Sequence, residues 1–169
     1  MQYKGYEILN LPVINLKNTE KIGVVEDIVF DPEKQQIIGL VLTGKGWLKE
    51  EQVIPYQKIN SIGRDAVTIK DETVIEELDG EVEHLDGSSG KVMGSTVLTN
   101  QGQDLGVIDD IFLNPSTGRI NGYEISDGVV EDIINGRGIL SASNEFKYGD
   151  DVVVVPDVAN YQQFEMKED

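Results

Sequence analysis

The 169-residue chain contains no cysteine, so it can form no disulfide, no thiolate nucleophile and no thiolate metal site. It also lacks any apolar run near the roughly 20 residues that a membrane-spanning helix needs. Its first residues lack the basic and apolar segments of a secretory signal. We therefore expect a cytoplasmic protein without a membrane span.

Basic residues are scarce as well. The chain has 14 Lys and Arg against 31 Asp and Glu, which gives a formal net charge of -17. Such a charge repels phosphate backbones and anionic membrane surfaces. We expect no direct binding to nucleic acid, whereas peripheral association with a membrane complex, through an acidic face that meets a basic protein, stays open.

What the chain does contain is an internal repeat. Residues 22–39 align without a gap on residues 105–122, eighty-three positions further on, and seven of the eighteen aligned positions are identical. A second echo relates residues 61–69, SIGRDAVTI, to residues 147–155, KYGDDVVVV. The repeat indicates two copies of one small fold. Since units of roughly 70 to 80 residues bury only a modest fraction of their surface, we expect the copies to pack on each other.

Short runs rich in Val, Ile and Gly, separated by turn residues, predict an all-β fold. The turns at Asp31-Pro32 and Asn114-Pro115 predict a hairpin in each copy. Apolar residues occupy both alternation phases after each matched glycine, which favours a strand that is covered on both faces or carries a bulge, as in a small, partly open barrel. In the first copy we predict strands at residues 5–15, 22–30, 36–43, 52–55 and 66–70.

The predicted organisation is a first barrel at residues 1–75, an acidic linker at 76–91, a second barrel at 92–160 and an acidic tail at 161–169. The copies differ between their third and fourth strands. There the second copy carries Val129, Val130, Ile133 and Ile134 at helical spacing, which predicts a short amphipathic helix.

The repeated glycine-opened strands with paired acids, the Ile-x-Gly at 37–39 and the Gly-Asp-x-Val at 149–152 resemble those of tandem PRC-barrel proteins. This family is named for the cytoplasmic domain of the photosynthetic reaction-centre H subunit. Residues 126–137, SDGVVEDIINGR, are similar to a segment common in bacterial two-copy members. The resemblance implies two partly open β-barrels that serve as an assembly or adaptor module without a cofactor.

Two pairs of adjacent acids are the sharpest polar repeat: Glu26-Asp27 and Asp109-Asp110. They are candidates for a divalent-cation site or for acid and base groups. Neighbours on a strand point to opposite faces, however, so one pair cannot converge on one atom. The favoured interpretation is therefore that these carboxylates accept hydrogen bonds from turn backbone at the barrel rim.

The remaining polar candidates read as parts of a linker. His84 is the only histidine and stands among acids, which favours a solvated side chain over a general base. The run Gly87-Ser88-Ser89-Gly90 lacks the lettering of a nucleophile elbow or a phosphate-binding loop. No catalytic set, metal site or cofactor site follows from the sequence, so we expect a non-enzymatic protein.

Candidate partner-binding residues lie in the stretch where the copies differ. Trp47, the lone tryptophan, stands with Leu48 and Lys49 in a locally basic segment and is a candidate anchor for a protein partner. The alternative is that Trp47 packs on the barrel or between the copies. In the second copy the corresponding candidates are Ile133, Ile134 and Arg137.

Two functions remain open at this stage. The first is a non-enzymatic adaptor or scaffold that binds a protein partner or forms a homo-oligomer. The second is a regulatory protein that responds to an ion or a small ligand through its acids or the cleft between its copies.

Overall fold

The computed structural model of the chain describes residues 2–43, 51–86, 92–126 and 138–156, together with the backbone of residues 161–162. The chain begins with a two-residue strand, β1 (Tyr3–Lys4), and one helical turn, α1 (Gly5–Ile8). In these described ranges, every helix is too short or too polar to span a membrane.

Each copy forms its own curled sheet. The first sheet contains β2 (Pro12–Asn15), β3 (Lys21–Asp31), β4 (Gln36–Leu42), β5 (Gln52–Pro55), β6 (Ile59–Ile62), β7 (Val67–Ile69), β8 (Glu76–Glu77) and β9 (Glu83–His84). The second contains β10 (Thr96–Thr99), β11 (Asp104–Leu113), β12 (Ile120–Ser126), β13 (Gly138–Ser141), β14 (Lys147–Tyr148), β15 (Val152–Val155) and β16 (Tyr161–Gln162).

The two sheets have the same topology. The first runs β6-β7-β2-β3-β4-β5-β8 and the second runs β14-β15-β10-β11-β12-β13-β16, with one parallel pair in each, β2 with β7 and β10 with β15. The predicted all-β fold of two partly open barrels is therefore confirmed. Below, the first barrel consists of strands β2 to β8 and the second barrel of strands β10 to β16.

The long strands β3 and β11 are bulged, as their sequence pattern predicts. The pairing of β3 with β4 shifts register between Val25 and Asp27, and that of β11 with β12 shifts between Ile108 and Asp110. Coverage on both faces is also confirmed for β3. Most of its apolar side chains enter the main core, whereas Val29 joins Val41 and Val53 in a second cluster.

The start of the chain differs from its prediction. A single strand over residues 5–15 is wrong, because residues 5–8 form α1 and only Pro12–Asn15 form a strand of the first barrel. The Glu7 carboxylate accepts a hydrogen bond from the Lys4 N–H at 2.7 Å, which favours the helical turn at its N-terminus. Strand β6 was not predicted.

The segment that precedes each barrel pairs with a strand of the other barrel. Strand β1, which leads into the first barrel, pairs with β11 of the second. Strand β9, which leads into the second barrel, pairs with β3 of the first. We call residues 3–8 the first leading segment and residues 83–86 the second. Both β8 and β9 lie within 76–91, where the sequence predicts a linker, and the domain limits stay predictions.

One continuous core unites the two copies. Its buried side chains come from both barrels and from both leading segments, with Ile8 and Leu85 each fully buried. Since burying apolar side chains is the main favourable term in folding, the two small units stabilise each other through this shared core.

Candidate functional site at the junction of the two barrels

Asp27 binds the second leading segment. Its Oδ1 accepts hydrogen bonds from the backbone N–H groups of Ile28 and Asp86, both at 2.8 Å. Its Oδ2 lies 2.8 Å from His84 Nδ1. The carboxylate is buried, and these contacts hold the second leading segment against the first barrel.

Asp110 holds the equivalent place in the second barrel and binds the first leading segment. Its Oδ1 accepts the N–H of Ile111 at 2.8 Å, and the N–H of Tyr6 points between its two oxygens at 3.2 and 3.3 Å. Burial raises the pKa of Asp110 above its usual value, against the opposing effect of these backbone hydrogen bonds.

The favoured interpretation of the acid pairs holds in part. The second acid of each pair accepts backbone hydrogen bonds, but from a leading segment rather than from a turn at the barrel rim. The first acid of each pair, Glu26 or Asp109, is exposed. Among the described residues, no group of three or more acids and histidines is arranged to hold a metal ion.

The interpretation of His84 as a solvated linker side chain is wrong. Only 11% of the side chain is exposed, and it lies between Asp27 and the carboxylate of Glu51, whose Oε2 is 3.7 Å from Nε2. Neither acid is near His84 in sequence, so nothing in the linear pattern could indicate these partners. The contacts place His84 in the attachment of the second leading segment.

Lys4 has the corresponding place in the first leading segment. Its Nζ lies 2.6 Å from Glu124 Oε2 and 5.6 Å from the centre of the Phe112 ring. Glu124 is buried, so the ammonium group compensates a charge that would be costly alone. Lys4 and His84 therefore each bring a basic group to an acid of the barrel on which they dock.

The two β-hairpin turns, residues 31–36 and 114–119, meet at what we call the junction. The Ile37 N–H donates to the Gly118 carbonyl at 2.8 Å, and the Ile120 N–H donates to the Gln35 carbonyl at 2.9 Å. These bonds are equivalent under the repeat, since Ile37 corresponds to Ile120 and Gln35 to Gly118. Gln36 and Arg119 pair between them as an isolated bridge.

Next to this bridge lies a buried polar cluster. The Tyr123 hydroxyl donates to Gln35 Oε1 at 2.8 Å, and the Gln35 amide donates to the Tyr148 hydroxyl at 3.1 Å. The two tyrosine hydroxyls also contact each other. Burial raises the pKa of both tyrosines, so both stay protonated and can share these hydrogen bonds.

Tyr56 covers the other side of the junction. Its hydroxyl donates to the Pro115 carbonyl at 2.6 Å, and burial raises its pKa to about 12. Its ring lies against Gly118, where a Cβ atom would come within 2.7 Å of two ring carbons. Gly118 also has a φ of +71°, a conformation that favours glycine.

A cleft opens beside Tyr56 in the first barrel, and Thr117 of the second barrel also lines it. It has a volume of about 500 Å³, and its wall is formed by both polar and apolar side chains. Its lining includes Asp31, Lys34, Gln36, Tyr56, Lys58 and Thr117. We call this space the junction cleft.

The candidate partner-binding residues lie outside the described ranges, and so does the predicted helix of the second copy. This holds for Trp47, Leu48 and Lys49 and equally for Ile133, Ile134 and Arg137. The strand ends that flank them are described: Leu42 pairs with Val25, and Ser126 pairs with Val107. Both ends lie at the side of their hairpin opposite to the turn that forms the junction.

The profile of the PRC-barrel domain matches residues 1–75 and again residues 88–160. The chain belongs to the PRC-barrel family. The first match contains β2 to β7 and the second contains β10 to β15, so this protein is a tandem PRC-barrel protein, as the repeat predicts. A search of curated proteins gives no match.

Several residues of this tandem PRC-barrel site were not predicted from sequence. Gln35, Tyr56, Tyr123 and Tyr148 stand in no motif, and only their place in the fold brings them together. The repeat does contain one indication of these residues, because it aligns Gln35 with Gly118 and Leu40 with Tyr123. Aligned positions that differ in polarity indicate where the two barrels make different contacts.

Proposed function

We propose that this PRC-barrel protein is a cytoplasmic, non-enzymatic adaptor or scaffold that binds a protein partner. The observation that carries the proposal is the attachment of each leading segment to the other barrel. The buried carboxylates of Asp27 and Asp110, the shared core and the junction hold the two barrels together. PRC-barrel domains are generally non-catalytic and often mediate protein interactions, which supports this proposal.

The proposed contact surfaces are the connections between the third and fourth strands of each barrel, with Trp47, Leu48 and Lys49 in one and Ile133, Ile134 and Arg137 in the other. Their flanking strand ends lie away from the junction, so a partner could reach them without separating the barrels. Because the two connections differ in sequence, we propose that they contact different parts of a partner. Aromatic, aliphatic and Arg side chains are the usual anchors of such interfaces.

The test is affinity purification from native lysate with the intact chain and with Trp47→Ala, read by mass spectrometry. The expected result is a specific protein that the intact chain retains and Trp47→Ala loses, with the thermal midpoint nearly unchanged. Tyr6→Ala is the matched control, because Tyr6 is an aromatic residue that is 71% exposed. Retention by Trp47→Ala, or a large loss of its stability, would contradict the role given to Trp47.

The junction cleft favours a second candidate function, a regulator that responds to a small polar ligand. Lys34 and Lys58 line it together with Tyr56, and their ammonium groups pair with the carboxylates of Asp31 and Glu76. A small anionic ligand would therefore bind by replacing these carboxylates as the partner of the two lysines. Inorganic phosphate and citrate are suitable probes, and binding would raise the melting temperature. The shift should disappear in a Lys34→Ala/Lys58→Ala variant; no shift with either probe contradicts this function.

The version of this second function that relies on the paired acids is less favoured. Asp27 and Asp110 each already accept hydrogen bonds from two backbone N–H groups. A divalent cation would have to displace a leading segment to reach them. We therefore expect titration with Ca²⁺ or Mg²⁺ to leave the melting temperature unchanged.

A further inference from the structure

Several contacts between the two copies occur in equivalent pairs. Because β3 corresponds to β11, the strand pair β9–β3 is equivalent to β1–β11, and the Asp27 bond to the second leading segment is equivalent to the Asp110 bond to the first. The Gln36–Arg119 bridge relates two positions that correspond to each other. Such pairing is the signature of an isologous interface, in which the same patch is used twice.

At one position the two barrels differ in the size of the side chain. The first barrel has Gln35 in its turn, whereas the second has Gly118, and the Tyr56 ring occupies the space that a side chain at 118 would need. If two first barrels met through this face, each would bring a glutamine against the Tyr56 ring of the other. Packed aromatic rings do not yield such space without a large cost.

Hydrogen bonding breaks the symmetry as well. Tyr123 donates to Gln35, and Tyr56 donates to the Pro115 carbonyl. If two second barrels met, the turn would offer Gly118 in place of the Gln35 amide. Tyr56 follows Pro55, the β5 residue that pairs with Gly39. In the second barrel the equivalent residue is Ala142, which follows Ser141, the β13 residue that pairs with Gly122. Ala142 would therefore take the place of Tyr56. Both bonds would be lost.

We propose that the junction face is an association surface that pairs a first barrel only with a second barrel. The association does not depend on the covalent link between them. The partner that this face accepts is the complementary barrel of this protein, and Gln35, Tyr56 and Gly118 are the residues that select it. This proposal concerns the face between the barrels and is independent of the adaptor function.

The test begins with the full chain. A protease recognition sequence is inserted between Ser88 and Ser89, the folded protein is cleaved, and the product is examined by size exclusion and native mass spectrometry. We expect the two fragments to stay together at roughly 1 µM, held by the junction face and by the first leading segment, which stays on the first fragment and pairs with β11. Fragments that separate at this concentration would overturn the proposal.

Selectivity is read by mixing cleaved protein with an equal amount of cleaved ¹⁵N-labelled protein. Exchange should produce labelled-with-unlabelled pairs that always contain one first and one second barrel. Pairs of two first barrels or of two second barrels, if they form in comparable amounts, would show that the face does not select its partner.

The selecting residues are tested in the same cleaved preparation. Gly118→Gln gives both turns the larger residue and should weaken fragment association about 100-fold through the clash with Tyr56. Gly102→Gln is the matched control, since Gly102 also has a positive φ, +84°, but no atom lies within 4 Å of a Cβ placed there. Equal affinities for these two variants would overturn the role of Gly118.

A gentler variant covers the case in which Gly118→Gln fails to fold. Gln35→Ala removes the amide that meets Tyr123 while leaving the turn free of a new side chain. We expect about tenfold weaker association, with the circular dichroism of the uncleaved chain unchanged. Unaltered affinity would show that Gln35 takes no part in the selection.

Discussion

Asp27 and Asp110 occupy corresponding positions in the two barrels, and each carboxylate accepts a backbone hydrogen bond from the segment that leads into the other barrel. An acid that recurs in both copies of a repeat is a candidate for a catalytic or metal-binding role. Here each of the two aspartates instead holds the segment that leads into the other barrel. Its neighbour in each pair remains on the surface.

The first prediction separates the two acids of one pair. Asp27→Ala leaves the Ile28 and Asp86 N–H groups and His84 without their acceptor, so we expect it to lower the free energy of unfolding by about 3 kcal/mol. Glu26→Ala, next to it but exposed, should change this free energy by less than about 0.5 kcal/mol. Urea unfolding measures both, and equal effects would refute a structural role for Asp27.

The second prediction concerns the buried ion pair. Lys4→Met leaves the Glu124 carboxylate buried without its cation and should cost about 2 kcal/mol of stability. The effect is below that of a fully buried pair because the Lys4 side chain is 31% exposed. Lys17→Met removes the same charge from an exposed turn and should be nearly neutral. A neutral Lys4→Met would contradict a stabilising role for the Lys4–Glu124 pair.

A third prediction compares two glycines with the same backbone requirement. Gly118→Ala and Gly102→Ala both place a Cβ on a residue with positive φ, but only the first meets the Tyr56 ring. We expect both to be destabilising and Gly118→Ala to cost about 2 kcal/mol more, because the ring cannot move freely at the junction. Thermal unfolding of the uncleaved chain is the measurement; similar losses would contradict the close contact.

The fourth prediction is a dependence of stability on pH. Burial raises the pKa of Asp110 and of Glu83 above their usual values, so protonation of these groups favours the folded state. Their contribution is fully present below the usual pKa values and is lost as the pH rises through the raised ones. The net charge of -17 acts in the same direction through repulsion at neutral pH.

We therefore expect the melting temperature to rise as the pH is lowered from neutral toward the usual carboxyl pKa values of about 4. Glu83→Gln should flatten this dependence. Glu81→Gln removes an equal charge from an exposed position nearby and should preserve it. A melting temperature that falls over this interval, or identical profiles for the two variants, would contradict the assignment.

Much of the fold follows from local patterns. The repeat, the hairpin turns at Asp31-Pro32 and Asn114-Pro115 and the bulged strands can be predicted because turn residues and apolar alternation act over a few neighbouring positions. Residues 5–8 could not be predicted in this way. They read as the start of a strand, but they form a helical turn whose Gly5 packs closely against Ile111 and Leu85, which are distant in sequence.

The sequence by itself determined that there are two copies, that each is built of strands and that the chain carries a strong negative net charge. Only the tertiary structure decided how the copies are joined. It shows which segment crosses to which barrel and that His84 lies against Asp27. It also shows that Gln35 contacts Tyr123 and that the Tyr56 ring packs against Gly118. The physical reason is the range of the interactions. Periodicity and turn propensity are local properties of the chain, whereas hydrogen bonds and packing between residues that are distant in sequence exist only after the strands have closed into barrels.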